Sequence, residues 1–155
     1  MPSLDRLSQV QRTMLLTRPV EVNRTTPWTP PPGPLAEMRL ALVTTAGLHL
    51  LDDIPFARDD PSFRVIPSGA HPSEIRQSHS SLAFDRRSMM RDLNVVFPVD
   101  RLRELVDAAR VGSLGGDHYS FMGALVDVDR VRQPAATVAA RLLDDDVQVV
   151  LLTPT

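Results

Sequence analysis

Thr44 and Thr45 follow an apolar run, residues 38–43, with the character of a strand buried inside a parallel sheet. In open α/β sheets the carboxyl ends of the strands face the ligand. The two hydroxyls and the turn Thr44-Thr45-Ala46-Gly47 therefore suit a carboxylate or a phosphate, and equally suit the loop's own backbone. One glycine, with neither GxGxxG nor GxxxxGK around it, does not make a phosphate loop. His79, with His71, Ser78 and Asp85 nearby, offers an imidazole that titrates near neutral pH, as a general base or an orienting group. The histidine spacing matches no zinc pattern, so no metal ligands are assigned. Asn94 is the member of the block from Asp92 to Leu102 expected to touch a ligand; Asp100 and Arg101 read as a helix cap and a surface ion pair. His118-Tyr119 sits between Gly115-Gly116 and Gly123, where backbone can approach a ligand closely, and proton transfer and simple packing of Tyr119 both remain open. No Ser/His/Asp triad follows from spacing, because such partners meet in space.

Composition narrows the chemistry further. The 155 residues contain no cysteine and no lysine, which removes disulfides, thiolate metal sites and the commonest covalent nucleophiles. A net charge of −2 gives no footprint for nucleic acid. All 17 basic residues are arginine, which favours planar, bidentate ion pairing. The start lacks the basic-then-apolar run of a secretory signal, and no apolar stretch approaches the ~18–20 residues that cross a bilayer. A cytoplasmic protein with no membrane partner is expected.

Three segments must position these groups. Residues 1–17 carry an amphipathic helix over 3–17, capped by Ser3 and striped by Leu4, Leu7, Val10 and Met14, which expects to pack on its own domain. Residues 18–34 form a proline-rich connector with Trp28 pinning it to the surface. Residues 35–155 read as an α/β domain, Rossmann-like, with a parallel sheet flanked by helices. Its expected strands are 38–43, 63–66, 94–97 and 147–152, with a helical turn at 73–77, helices from Pro98 to Ala109 and over 134–143, and a loop over 113–123. Gly112 is expected just beyond the end of the first of these helices.

Read together, Leu40-Ala41-Leu42-Val43-Thr44-Thr45-Ala46-Gly47-Leu48, Phe63-Arg64-Val65-Ile66-Pro67, the block from Asp92 to Leu102 and His118-Tyr119-Ser120-Phe121-Met122-Gly123 resemble the amino-terminal part of the glycine/sarcosine/betaine/D-proline reductase family, selenoprotein B type. The resemblance spans residues 38–155. It implies reductive cleavage of a carbon–nitrogen bond beside a carboxylate, with a pyruvoyl group on a partner reductase subunit. It also implies a selenocysteine or cysteine that attacks the α-carbon, its low pKa keeping it ionised. Thr44, Thr45, His79, Asn94 and His118 are then the expected pocket for a small carboxylate substrate. In the family the reactive residue follows a strand like 147–152 and a Thr-Pro-type turn, whereas this sequence stops at Thr155. Three explanations are ranked: a UGA codon read as a stop, a split enzyme completed by a second chain, and a degenerate domain. The domain is accordingly expected to be incomplete, inactive alone and prone to self-association. A non-catalytic binding or scaffold subunit is the alternative. The final strand should lie beside the threonine and histidine loops; a remote position would remove the reductase assignment.

Overall fold

The computed structural model describes residues 4–17, 28–81, 86–123, 125 and 127–154. The expectations for Ser3, Asp85 and Thr155, and for most of the connector, fall outside them. The chain divides into two units, 1–30 and 31–155.

In the first unit the helix α1 spans Gln9–Thr17, later than expected. Its start is set by Ser8 and Gln11: the Gln11 amide donates to Ser8 Oγ at 3.3 Å and the Ser8 amide donates to Gln11 Oε1 at 3.0 Å. That reciprocal pair is a capping box. No residue of α1 is buried, and Trp28, expected to pin the connector, is also exposed.

The second unit runs β1 (Arg39–Thr44), β2 (Leu48–Leu50), β3 (Phe63–Pro67), β4 (Ile75–Gln77), α2 (Arg86–Arg91), α3 (Val99–Asp107), β5 (Ser113–Leu114), β6 (Asp117–Phe121), α4 (Arg132–Asp144) and β7 (Val149–Thr153). β1 is central. β5 and then β6 run parallel along one edge of it, β7 runs parallel along the other, and β3 adds to β6 antiparallel. The expected α/β sheet is present and mostly parallel, with one antiparallel edge strand. β2 and β4 form a separate antiparallel pair.

Alternation along β1 explains the layers. Leu40 and Leu42 face a core with Ile66, Phe97, Val99, Leu102 and Val111, covered by α3. Ala41 and Val43 face Tyr119, Phe121, Val138 and Leu142, covered by α4. Side chains two apart share a face of a strand, so one six-residue run supplies both cores.

Four local expectations change. Residues 94–97 are not a strand: a 3₁₀ turn spans Leu93–Val95, because the Asp92 carboxylate accepts from the Asn94 amide and competes with any ladder. The helical turn expected at 73–77 is a 3₁₀ turn over Pro72–Glu74, capped by His71, and the chain then extends into β4. The expected loop 113–123 holds β5 and β6, broken only at Gly115-Gly116. Helix α3 ends with Ala109 in the left-handed region (φ 54). Gly112 serves a different purpose: a Cβ there would sit 2.8 Å from the backbone of Glu37 and Met38.

Arg64, on β3, is a buried charge that organises the long connection before it. Its guanidinium donates to the Ile54 carbonyl at 2.6 Å and to Asp60 at 3.1 Å, and lies 4.2 Å from the centre of the Phe56 ring. Serine and arginine donors hold the Asp60 carboxyl below its usual range even though burial pushes the other way.

Candidate functional site

The carboxyl ends of β1 and β7 lie side by side. Thr44↔Thr153 is the last pair of the ladder, and the Thr45 amide donates to the Thr153 carbonyl at 3.3 Å. The two strand-end hydroxyls converge on one acceptor, the Val96 carbonyl, from Thr44 Oγ1 at 3.1 Å and Thr153 Oγ1 at 2.9 Å. The final strand therefore sits against the threonine loop.

The loop's amides are spent internally. Ala46 N donates to Thr44 Oγ1 at 3.2 Å and Gly47 N to the Phe121 carbonyl at 2.9 Å. Thr44 is fully buried, and Thr45 is half-buried. Of the two hydroxyls, the Thr45 one is the more accessible to a ligand.

His79 is buried against the same loop. Ser78 N donates to the Gly47 carbonyl at 2.9 Å, and Gly47 adopts φ +65, with a Cβ there falling 3.2 Å from His79 N. The His79 ring accepts from the Ser81 amide at 3.1 Å, and its carbonyl accepts from Arg86 at 2.6 Å. Burial, and then the Arg86 charge, push its pKa below the ordinary value. Gly47→Ala is expected to cost about 1–2 kcal/mol, because it forces a side chain into the left-handed region and against the His79 backbone. Urea unfolding checks this, and an unchanged midpoint would mean the loop relaxes without cost.

Asn94 and His118 are wired inward. The Asn94 carboxamide donates to Asp92 (2.9 Å) and Asp100 (3.1 Å) and accepts from the Asp100 amide at 3.1 Å, which caps α3. Asp100 in turn pairs with Arg103 at 2.7 Å, and Arg103 donates to the Ser68 and Ala70 carbonyls. His118 is fully buried on β6. Its Nδ1 accepts from Leu42 N at 3.2 Å, its Nε2 meets Ser68 Oγ at 3.1 Å, and Ser68 Oγ donates on to the Gly115 carbonyl. The imidazole thus fills the ladder gap that the Gly115-Gly116 break leaves beside β1. Burial, and secondly the Arg103 charge, lower its pKa to about 4, with Asp145 opposing. The ring is neutral at physiological pH.

One group escaped the sequence reading. His49, buried on β2, places Nδ1 2.7 Å from the Leu50 carbonyl and Nε2 2.8 Å from Ser78 Oγ. A carbonyl only accepts, so Nδ1 carries the proton of the singly protonated ring and Nε2 accepts from the Ser78 hydroxyl. A hydroxyl held by an oriented imidazole is a path for a proton. No spacing signal announces it, since residues 49 and 78 meet through the β2–β4 pairing.

Ser78 and His79 form part of the wall of an open cleft of about 780 Å³ between β4 and α2, lined also by Ile75, Arg76, Gln77, Arg86, Met89, Met90, Arg91 and Leu93. A second depression, about 390 Å³, lies at the amino ends of the strands and is bordered by Asp117, Asp144, Asp145 and Arg141. Among the described residues no cluster of three or more His, Cys, Asp or Glu suits a metal ion, and no helix is long and apolar enough to cross a membrane.

Comparison with known proteins adds two findings. The family model described as glycine/sarcosine/betaine reductase selenoprotein B matches residues 71–155. The D-proline reductase subunit gamma of Acetoanaerobium sticklandii is 34% identical over 128 residues, which cover 81% of this chain and 52% of that protein. The chain thus spans about half the length of the curated relative it matches. No solved structure matches it.

Proposed function

The chain belongs to the glycine/sarcosine/betaine reductase selenoprotein B family, and we propose that it forms the amino-terminal portion of a cytoplasmic reductase subunit that cleaves a carbon–nitrogen bond in a glycine, betaine, sarcosine or D-proline type substrate. The observation that supports this reading best is the junction of β7 with the threonine loop, through Thr153, Thr44 and Val96. In this reading, residues that follow β7, on this polypeptide or supplied by a second chain, begin beside the Thr44-Thr45 loop.

In this reading the selenolate or thiolate, and the pyruvoyl group of a partner reductase subunit, supply the covalent chemistry. These 155 residues hold neither cysteine nor selenocysteine, so they are inactive by themselves. Their own part is to bind and orient. Thr45 and His79 contact the small carboxylate substrate. Thr44, Asn94 and His118 hold the strand ends, the α3 cap and the sheet in register around it. The Ser78 hydroxyl, its proton directed to His49 Nε2, accepts a hydrogen bond from the substrate's ammonium group.

The test is reconstitution. The chain is combined with its nucleophile-bearing remainder and partner subunits and assayed, with a dithiol as reductant, for release of the reduced product from each of the four substrates. Thr45→Val and Ser78→Ala are expected to lower kcat/KM by about tenfold or more. If the nucleotides after codon 155 encode neither UGA nor a cysteine-bearing continuation, and no such chain co-purifies, the reductase reading fails and a binding or scaffold subunit takes its place.

A further inference from the structure

The cleft between β4 and α2 is chemically distinct from the threonine loop, although the two share a wall through Gly47 and His79. Its floor is apolar: Ile75 is buried, and Leu93 and Met89 pack against the main core. Its rim carries Arg76, Arg86 and Arg91, all exposed, and among the described residues no acid lines it. Among the described residues none of these three arginines meets a carboxylate. Arg76 donates only to the Ser73 and Ile75 carbonyls, both at 2.9 Å, and Arg86 to the His79 carbonyl. Five other described arginines of the domain behave differently: Arg39, Arg64, Arg101, Arg103 and Arg132 are each paired with an acid.

Three cationic forks gathered around an apolar floor select an anion that carries hydrocarbon. A guanidinium meets a carboxylate through two parallel hydrogen bonds. Ser78 commits its proton to His49, so it offers acceptor lone pairs, and the anionic head belongs at the arginines. The volume, about 780 Å³, falls in the range of sites that enclose drug-sized ligands and far exceeds a lone glycine. The acid-bordered depression at the other end of the sheet repels such a ligand.

We propose that the Arg76–Arg86–Arg91 cleft is a second binding site, for an organic carboxylate with an extended apolar body, adjoining the small-substrate site at the strand ends across the His79 wall. The assignment does not rest on the reductase reading.

Titration of the full 155-residue chain, followed by ¹H–¹⁵N NMR, tests it with hexanoate, acetate and inorganic phosphate as probes. Hexanoate is expected to shift the amides of Ile75, Gln77, Ser78 and His79 saturably and the side-chain Nε–H of Arg76, Arg86 and Arg91 with them. Each methylene that reaches the floor should tighten binding about fourfold, so hexanoate outranks both acetate and phosphate. Arg86→Gln and Arg76→Gln should each weaken hexanoate about tenfold, about 1.4 kcal/mol. Arg101→Gln, which removes an exposed ion pair with Glu104 on α3, should leave it unchanged. Phosphate binding as tightly as hexanoate, shifts confined to Thr44, Thr45 and Thr153, or unaltered affinity in both arginine variants would each overturn the proposal. Those outcomes leave the reductase reading standing, because its reconstitution assay reads product release and not hexanoate binding at the arginines.

Discussion

Acidification from about pH 7 to about pH 4 is expected to remove about 3 kcal/mol of folding stability through one imidazole, that of His118. The folded pKa is about 4, below the 6.5 of the free side chain. A lowered histidine pKa means that the native state binds fewer protons than the unfolded chain. Stability from this group is therefore fully present above pH 6.5, declines as the pH falls from there towards 4, and levels off below. The cause is local: a second ring proton would face the Leu42 amide donor, inside the core, within the field of Arg103. His79 is shifted in the same direction and adds to the decline. Asp60, held low, loses its contribution only below its ordinary value of 3.8, a separate and more acid window. Urea midpoints at successive pH values measure the effect. His118→Asn should lower the midpoint at neutral pH and flatten the curve across the histidine window. A wild-type curve already flat there would show that the buried ring is not the acid-labile element.

Phe97→Ala is expected to cost about 3–5 kcal/mol, the loss for emptying a fully buried aromatic site. Phe97 stands edge-on to the His118 ring at 5.7 Å and belongs to the core beneath α3. Its neighbour Val96 carries the carbonyl on which Thr44 and Thr153 converge. The cavity should therefore loosen the strand ends as well as the core. Phe97→Leu, which keeps most of the volume, should lose less than half as much. Calorimetry or urea unfolding gives the magnitudes, and similar losses for both variants would place the effect in ring stacking, not in volume.

The α/β architecture was legible because its signal is local. The runs at 38–43, 63–66 and 147–152 became β1, β3 and β7 within two residues at each end. The block around Asn94 was legible as important but not as structure. Its apolar Val-Val-Phe looks like a strand, and only the Asp92 and Asn94 hydrogen bonds turn it into a 3₁₀ turn that caps α3. His118 was legible as a polar residue among glycines. That it repairs the ladder where β5 gives way to β6 depends on Ser68 and Leu42, 50 and 76 residues away in sequence. The Ser78–His49 pair and the three arginines of the cleft escaped notice for the same reason: β2 must first pair with β4, and α2 must come to line the same cleft as β4. Binary patterns describe elements, whereas sites are made of the contacts between them.

The position of β7 at the margin of the sheet has a consequence for amide exchange. Among the described strands it pairs with β1 alone, and Leu152 is 66% exposed. Alternate backbone N–H groups along its outer side are open to solvent and to any additional strand. In the isolated chain those deuterons should enter quickly, while the inward ones, locked to β1, enter only when the sheet opens. Slowed uptake confined to 149–153 at rising protein concentration would reveal two copies zipped edge to edge. The same slowing on addition of a complementary polypeptide would reveal the sheet being extended by its other half.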